Sequence, residues 1–285
     1  MRILITGAAG LLGGAVSGEA RSRGHEVVPL SRAELDVTDE ALVHDLISSH
    51  RPDAVVHCAA YTAVDRAESE PDAARAVNRD GARSVAIAAA ECGAALLYVS
   101  TDYVFDGLKR SPYVPTDETG PLSVYGHTKL EGERAVTNAL PGSLVVRTSW
   151  LYGGQSGFVP AILRRATRGE KLRIVDDQRG RPTWAPDAAA AMVGLLERGA
   201  RDVWHVAGGG ECTWLELARE TMDQQGFQVE IEAISSADFG SPARRPAYSV
   251  LDLTATEHLL GRRMGHWKDA LARHLRGGRA LETEG

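Results

Sequence analysis

Cysteine is scarce in this chain, and the few cysteines are isolated from one another. The 285 residues include three, at Cys58, Cys92 and Cys212. A structural zinc site or a disulfide framework needs cysteines at short or repeated spacings. The sequence has neither pattern, which excludes the small disulfide-rich secreted class and fits a reducing cytoplasm.

Long apolar runs and concentrated positive charge are also lacking. The net charge is −6, and the 32 lysines and arginines are scattered rather than gathered in a stripe. We therefore expect no nucleic-acid partner. The strand-like run that begins at Ile3 has no long apolar stretch behind it, so we expect no signal peptide and no membrane span. The composition, 44% hydrophobic and 25% charged, is typical of an ordinary globular protein.

What the chain does have is a glycine-rich turn near its start. Residues 2–6 read as a buried strand, and a helix follows to about Arg23. The turn between them has the spacing G-x-x-G-x-x-G, not the commoner G-x-G-x-x-G. A strand, a glycine turn and a helix N-terminus in this order predict a dinucleotide site, where backbone N–H groups meet a pyrophosphate. The predicted cofactor contacts in this turn are Gly7, Gly10, Leu11, Leu12 and Gly13.

The end of the second strand, residues 25–30, indicates which dinucleotide is bound. Ser31 and Arg32 follow this strand, with no carboxylate at that point. A carboxylate there would hold the adenine ribose and favour NAD, whereas an arginine can pair with a 2′-phosphate. The prediction is NADPH, with NADH also accepted. Asp36 is placed either to touch the adenine side, together with Val37, or to start the next helix.

The third strand, residues 53–57, is followed by small residues at the same edge of the predicted sheet. Small side chains there would let the ribose and phosphates of a cofactor lie against the chain. The predicted cofactor contacts are Cys58, Ala59, Ala60 and Tyr61, and the predicted substrate contacts are Thr62 and Val64. Asn78 lies in a long predicted helix over 72–92. It is either a solvated residue or a buried hydrogen-bonding residue that shapes the site.

The fourth strand and the helix after it carry the predicted chemistry. Thr101, at the end of this strand, can donate its hydroxyl to a substrate carbonyl. Tyr125 and Lys129 lie four residues apart in a predicted helix that opens at Pro121, so both side chains fall on one face. We expect the fixed ammonium to lower the pKa of the tyrosine toward working pH. That would make the phenol a proton donor for a carbonyl being reduced.

The regular alternation of strands and helices up to Gly153 predicts an α/β fold with a Rossmann-like, doubly wound parallel sheet. The dinucleotide-binding domain is predicted over 1–153, with 185–207 and about 245–253 returning to it. A smaller α/β substrate-binding part is predicted from the remaining segments, 154–184, 208–244 and 254–276. The tail, 277–285, is predicted to be disordered.

Two loop arginines lie beside prolines in the second half of the chain. Arg181 precedes Pro182, and Arg245 precedes Pro246. A guanidinium on a fixed backbone suits a diphosphate, so both are predicted to contact that part of a substrate. The alternative is a solvated surface.

Four stretches together resemble the extended short-chain dehydrogenase/reductase superfamily, and more closely the dTDP-4-dehydrorhamnose reductase family. They are AAYTAVDRAE at 59–68, STDYVFDG at 100–107, VYGHTKLEGE at 124–133 and RTSWLYG at 147–153. Further on, Asp177-Gln178 through Gly180, Pro182-Thr183 and Arg245-Pro246 continue the match. The resemblance covers the chain from Met1 to about Leu275.

The resemblance implies NAD(P)H-dependent reduction of the C4 ketone of a dTDP-4-keto-6-deoxy-L-sugar, dTDP-4-dehydrorhamnose, to dTDP-L-rhamnose. It implies that Tyr125 is the proton donor, that Lys129 grips the nicotinamide ribose, and that Thr101 orients the ketone oxygen. It further implies that the sugar pocket is shaped by Asp102, Val104 and Trp150.

The chain departs from the family pattern at two places. Leu11 stands where many of these reductases have glutamine. Some members bind Mg²⁺ between subunits through glutamates, and Ala15 stands at the first of those positions. We therefore expect no metal, and either a monomer or a homodimer.

Other functions are compatible with such a fold, and one of them is the reduction of a different nucleotide-linked 4-ketosugar. Nucleotide-sugar dehydratases have Asp-Glu after the strand-end threonine, whereas Asp102-Tyr103 follows here. A C4 epimerase would keep its NAD bound through each cycle. A non-catalytic regulatory subunit resembling the beta subunit of methionine adenosyltransferase is the alternative from another class. Consumption of NAD(P)H with a 4-keto-6-deoxy nucleotide sugar separates that last alternative from a reductase.

Overall fold

The computed structural model describes residues 1–282, and the side chains as far as residue 277. The α-helices in that part of the chain are α1 Leu11–Ser22, α2 Glu40–His50, α3 Val64–Ala67, α4 Pro71–Arg75, α5 Ala82–Glu91, α6 Val124–Ala139, α7 Phe158–Thr167, α8 Ala185–Glu197, α9 Trp214–Gln225, α10 Ser236–Phe239, α11 Thr254–Leu260 and α12 Trp267–Glu282. A π-helical segment, Ala76–Gly81, joins α4 to α5, and Asp102–Val104 forms a 3₁₀ turn.

The strands are short, as expected for a buried parallel sheet. They are β1 Arg2–Thr6, β2 Glu26–Leu30, β3 Ala54–His57, β4 Ala95–Thr101, β5 Leu144–Thr148, β6 Leu151–Tyr152, β7 Leu172–Val175, β8 Arg179–Gly180, β9 Thr183–Trp184, β10 Asp202–His205, β11 Cys212–Thr213 and β12 Ile231–Ile234.

A six-stranded sheet of order β10-β5-β4-β3-β1-β2 forms the centre of the described residues, and every neighbouring pair in it is parallel. Its two faces carry separate apolar cores. One core joins the sheet to α1 and α8, and the other joins it to α2 and α5. This is the Rossmann-like doubly wound architecture, so the predicted fold class is confirmed. The carboxyl ends of all six strands point to one edge, which is where such folds bind ligands.

Beyond β5 the chain builds smaller pieces of sheet. In the described residues these are the pairs β6–β9, β7–β12 and β8–β11, packed with α7, α9 and α12 around two further apolar clusters. Strand β10 rejoins the main sheet beside β5. The division into a dinucleotide-binding domain and a substrate-binding part stays a prediction.

Several helix boundaries differ from those predicted. Helix α6 begins at Val124 rather than at Pro121, because the Ser123 hydroxyl caps it by accepting from the amide of Gly126. The single helix expected over 72–92 contains a π-helical turn. Helix α9 is capped by Thr213, which forms a capping box with Glu216.

The last helix differs more from its prediction. Helix α12 continues to Glu282, so it includes residues 277–282 of the tail that was predicted to be disordered. Residues 279–282 are Arg-Ala-Leu-Glu, good helix formers that extend the element past the two glycines before them. Of the tail predicted to be disordered, 283–285 lie outside the described residues. No helix among the residues described has the length and apolar character needed to cross a bilayer.

Helix α6 lies unusually close to the sheet because it carries glycines on its inner face. A methyl group at Gly132 would overlap the carbonyl oxygen of Asn78 and the hydroxyl of Tyr98. A methyl group at Gly126 would overlap the carbonyl oxygen of Tyr103. The backbone of α6 can therefore approach β4 and the π-helical turn only with hydrogen atoms at these two positions.

This packing predicts the effect of adding one methyl group. Gly132→Ala should lower the free energy of unfolding by about 1–3 kcal/mol, because overfilling a packed interior forces the backbone apart. Gly18→Ala in α1 is the matched control, since nothing lies within 4 Å of the added methyl. It should leave stability unchanged or raise it by up to about 1 kcal/mol. Urea unfolding followed by circular dichroism measures both, and equal midpoints for the two variants would contradict the close approach.

Candidate active site

A cavity of about 850 Å³ opens at the carboxyl edge of the main sheet. Its floor is formed by the ends of β1, β3, β4 and β5, and its far side by the segments around Trp150 and Ser156 and by Trp214. The predicted site residues that line it are Gly7, Gly10, Leu11, Leu12, Gly13, Arg32, Asp36, Val37, Cys58, Ala59, Ala60, Tyr61, Thr62, Val64, Thr101, Asp102, Tyr125, Lys129 and Trp150. The structure thus brings most of the predicted set together.

The glycine turn at one end of the cavity needs its glycines for two different reasons. Gly7 has φ +67°, and a methyl there would lie 2.8 Å from the backbone of Ala59. A methyl at Gly13 would overlap the carbonyl oxygen of Gly7. The turn can therefore bring α1 directly behind β1, with Gly10 at the helix N-cap and no side chain capping it. A helix N-terminus in this setting attracts phosphate oxygens.

Beyond the turn, Arg32 and Asp36 face each other at 3.5 Å. The Arg32 side chain is 86% exposed, so its guanidinium is largely open to solvent. Hydrogen bonds from the backbone and hydroxyl of Thr38 lower the pKa of Asp36. Ser31 does not line the cavity, and its amide donates to the Glu34 carboxylate at 2.8 Å. Asp36 therefore touches the cavity but does not start α2, whose cap is Asp39.

Asn78 is a buried hydrogen-bonding residue, which settles the alternative left open by the sequence. It is 1% exposed and lies in the π-helical turn. Its side chain accepts from the amide of Tyr61 at 2.9 Å and donates to the Tyr61 carbonyl and to Thr128 of α6. The π-helical turn thereby fixes the cavity wall at Tyr61 to the helix that carries Tyr125.

The three predicted catalytic residues meet at the cavity floor. The Tyr125 hydroxyl is hydrogen-bonded to Thr101, and the Thr101 hydroxyl donates to Asp102 Oδ1 at 3.1 Å. Lys129 is 2% exposed. Its Nζ donates to the carbonyl of Val99 at 2.7 Å and lies 4.1 Å from the centre of the Tyr98 ring.

Burial dominates the electrostatics of these groups. It raises the pKa of Tyr125 to about 12, so the expectation that Lys129 lowers this pKa toward working pH is wrong. The reason is that Lys129 is directed to the carbonyl of Val99 and the Tyr98 ring. Burial also lowers the pKa of Lys129 to about 7, against an opposing effect of Glu133. The phenol therefore keeps its proton at neutral pH, whereas the lysine is close to half protonated.

Asp102 is a second unusual acid beside these residues. It is 2% exposed, and its Oδ2 atom has no hydrogen-bond partner. Burial raises the pKa of this carboxyl to about 7. Asp102 can therefore act near neutral pH either as a hydrogen-bond donor or as an acceptor.

The far side of the cavity is a pair of stacked indoles. Trp150 and Trp214 are nearly parallel, with ring centroids 3.7 Å apart and an interplanar angle of 5°. Trp150 has φ +45°, and a methyl at Gly180 would lie 2.5 Å from its ring. Gly180 is therefore needed where the indole packs. Because Trp214 covers one face of the Trp150 ring, a ligand can stack only on the other face.

Sequence reasoning missed two aromatic residues of the cavity. Trp214 follows the cap of α9, and the helix prediction offered no sign that its ring turns toward Trp150. Tyr103 lies edge-on to Tyr125 at 5.7 Å between ring centroids. The one sequence signal for its place in the cavity was that Tyr103 follows the strand-end Thr101 by two residues. That position served above only as an argument against a dehydratase.

Three predicted substrate residues lie outside the cavity. Val104 is fully buried in the apolar core of the sheet. Arg181 donates to the carbonyls of Gly208 and Gly210. Arg245 pairs with both carboxylate oxygens of Asp65, at 2.9 and 2.8 Å. Arg245 is engaged by Asp65, and Arg181 is engaged through Nη1 by two loop carbonyls, so in this structure both arginines tie loops together rather than lining the cavity.

Among the described residues, no group of three or more His, Cys, Asp or Glu side chains could hold a metal ion. Ala15, at the position of a family metal ligand, packs against the apolar core. The absence of a metal requirement stays a prediction.

Comparison with known proteins gives consistent results. Residues 1–279 match the family described as RmlD substrate binding domain. The dTDP-4-dehydrorhamnose reductase of Sinorhizobium fredii is 41% identical, with 96% of each chain covered. The dTDP-4-keto-6-deoxy-D-glucose reductase of Streptomyces niveus is 39% identical, with 95% of each covered. The structure of dTDP-4-dehydrorhamnose reductase from Bacillus anthracis in complex with NADP superposes with a TM-score of 0.93. It is 35% identical and covers 97% of this chain and 99% of its own.

The buried lysine predicts a pH dependence of folding. The pKa of Lys129 is about 7 in the folded protein against an ordinary 10.5, so between these pH values the unfolded chain binds the extra proton. Stability should therefore rise with pH across that window, by up to about 1.4 kcal/mol per pH unit, and stay level below it. Lys129→Met lacks this contribution, so its stability relative to wild type should fall as the pH is raised.

Urea unfolding between pH 6.5 and 9.5 measures this difference. Lys268→Met is the control, because Lys268 is half exposed and pairs with Glu220 on the surface. Its curve should run parallel to that of the wild type. A parallel curve for Lys129→Met as well would mean that Lys129 has no depressed pKa.

Proposed function

The chain belongs to the dTDP-4-dehydrorhamnose reductase family, and from that membership we propose that it reduces the C4 ketone of a dTDP-linked 4-keto-6-deoxy sugar with NADPH. The observation that carries this proposal is the buried cluster at the cavity floor. Tyr125 is hydrogen-bonded to Thr101, and Lys129 lies one helical turn further on. The product proposed for dTDP-4-dehydrorhamnose is dTDP-L-rhamnose.

The cavity fits a nicotinamide dinucleotide. The glycine turn offers an uncapped helix N-terminus for the pyrophosphate. Arg32 is exposed at the adenine end, where it can pair with a 2′-phosphate. Between the glycine turn and Lys129 the cavity is lined by the small residues Cys58, Ala59 and Ala60. When bound, the nicotinamide supplies the hydride for the ketone carbon.

The protein's own part in the reaction is to hold the ketone and to provide a proton. Thr101 orients the ketone oxygen, and Tyr125 donates its phenolic proton as negative charge develops there. A pKa near 12 does not disqualify the phenol. The high pKa keeps the phenol protonated before the reaction. Because an alkoxide is a stronger base than a phenolate, the alkoxide formed at the ketone oxygen still takes the proton. Lys129, while protonated, holds the nicotinamide ribose.

Two contacts favour this reaction over the alternatives. A dehydratase would need a second acid where Tyr103 stands, and the Tyr103 hydroxyl is instead hydrogen-bonded to Arg245. A non-catalytic relative would have no need to keep Tyr125, Thr101 and Lys129 together at a buried point. The stacked Trp150–Trp214 pair and Asp102 are proposed to bound the sugar pocket.

Removal of the phenolic oxygen tests the proton donor. Tyr125→Phe should lower kcat with the ketosugar by about 10²–10⁴-fold, the usual contribution of a positioned general acid. The Kd for NADPH should change little, because the ring remains. Tyr248→Phe is the matched control, since Tyr248 does not line the cavity, and its kcat should stay near the wild-type value. A Tyr125→Phe enzyme within a few-fold of wild type would assign the proton to another group.

Cofactor choice is tested at the adenine end. Arg32→Ala should raise the KM for NADPH by about tenfold, the loss of roughly one charged hydrogen bond, and leave the KM for NADH unchanged. Arg21→Ala, an exposed arginine in the last turn of α1, is the control and should change neither. If wild type strongly preferred NADH and Arg32→Ala altered neither constant, the interpretation of this turn would be wrong.

A further inference from the structure

A buried ion pair lies directly behind the proposed catalytic residues. Arg147 of β5 donates Nε and Nη2 to the two carboxylate oxygens of Glu133 in α6, at 2.9 and 2.8 Å. The two side chains are 5% and 6% exposed. Burying two charges is costly, and an apolar pair of the same size is often as stable. The presence of this pair therefore calls for an explanation that the reaction described above does not supply.

The pair connects the two elements that carry the catalytic groups. Glu133 follows Lys129 by one helical turn, so both lie on the same face of α6. Its carboxylate also accepts from Ser100 Oγ at 2.5 Å, and Ser100 directly precedes Thr101 in β4. Arg147 lies opposite Ser100 in the register of β4 and β5. One carboxylate thus sets the distance between the Tyr125–Lys129 helix and the strand of Thr101.

Arg147 is itself held in place. Its Nη1 donates to the carbonyl of Pro115 at 3.2 Å, and its guanidinium lies 5.0 Å from the centre of the Phe105 ring. The ion pair is therefore fixed at both ends rather than free to adjust. A fixed charge can impose its effect on a neighbour at no cost of reorganisation.

We propose that Glu133 is a positioning residue for the reduction: held by Arg147 and Ser100, its carboxylate fixes α6 against β4 and provides a negative charge that favours the protonated form of Lys129. This proposal rests on the proposed function for its catalytic part. The effect of the Glu133 charge on Lys129 is a property of the protein itself and does not depend on the proposed function.

The surroundings of Lys129 make Glu133 the natural source of that charge. The titratable groups around the Lys129 ammonium are Tyr125 and Glu133 on α6, Tyr98 on β4, and His57 and Cys58 at the end of β3. Burial lowers the pKa of His57 to about 3 and raises that of Cys58 to about 12, so both are neutral at working pH. Both tyrosines are protonated there as well, because burial raises their pKa values. Glu133 is the one anion in this group, and it opposes the effect of burial on Lys129.

The test compares Glu133→Gln with wild type in two measurements across pH 5.5–9.5. These are kcat/KM for ketosugar reduction and the Kd for NADPH followed by fluorescence. Loss of the carboxylate should lower the pH of the alkaline limb in both profiles by about one pH unit, the effect of one nearby opposite charge. At pH 8 this corresponds to a loss of up to about tenfold. Glu133→Asp, which keeps the charge on a shorter side chain, should lower kcat but leave the limb at its wild-type pH.

Glu131→Gln is the matched control. Glu131 lies on the same helix and also pairs with an arginine, Arg75, but at the surface, where the two side chains are 34% and 35% exposed. The same amide substitution there should leave both profiles unchanged. A shift of equal size in this control would show that any charge on α6 has the effect, and the proposal for Glu133 would be overturned.

A second variant keeps the proposal testable if Glu133→Gln does not fold. Glu133→Gln leaves Arg147 charged and buried, whereas Glu133→Gln combined with Arg147→Met removes both charges and should fold. The proposal expects the double variant to keep the lowered alkaline limb. Wild-type profiles in either variant would reduce the ion pair to a structural role. If wild type bound NADPH but reduced no ketosugar, the proposed function would fail, and the NADPH profile would still decide the role of Glu133.

Discussion

The close approach of helix α6 to the central sheet is the constraint on which the site depends. Gly126 and Gly132 allow it by leaving no side chain between the helix and its neighbours. The Glu133–Arg147 pair and the Asn78 hydrogen bonds hold the helix in that position. The approach buries Lys129 and leaves Tyr125 half-buried at the cavity floor, with both side chains largely removed from water. Their altered pKa values follow from that burial and not from contact between them.

Much of this arrangement was predictable, because it depends on local sequence. The parallel sheet follows from short apolar strands alternating with helices, and the dinucleotide site from a glycine turn between the first strand and helix. Most residues that line the cavity were predicted for the same reason: they directly follow strands whose ends meet at one edge.

The parts that were not predictable depend on contacts distant in sequence. Arg245 pairs with Asp65, 180 positions earlier in the chain, so its place next to a proline said nothing about its partner. Trp214 reaches Trp150 only through the packing of α9. Whether the pKa of Tyr125 is raised or lowered depends on how deeply helix α6 is buried. The Tyr-x-x-x-Lys spacing places the two side chains on one face of a helix, but it does not indicate how far that face is shielded from water.

The stacked indoles have an optical consequence. Two tryptophan rings held parallel at 3.7 Å share their excited states, so their emission and near-ultraviolet circular dichroism differ from those of isolated tryptophans. The Trp150 ring is packed between Trp214 and the backbone at Gly180, which limits its movement. Both tryptophans line the cavity, so a molecule bound beside them should change this shared signal and report occupancy without any added label.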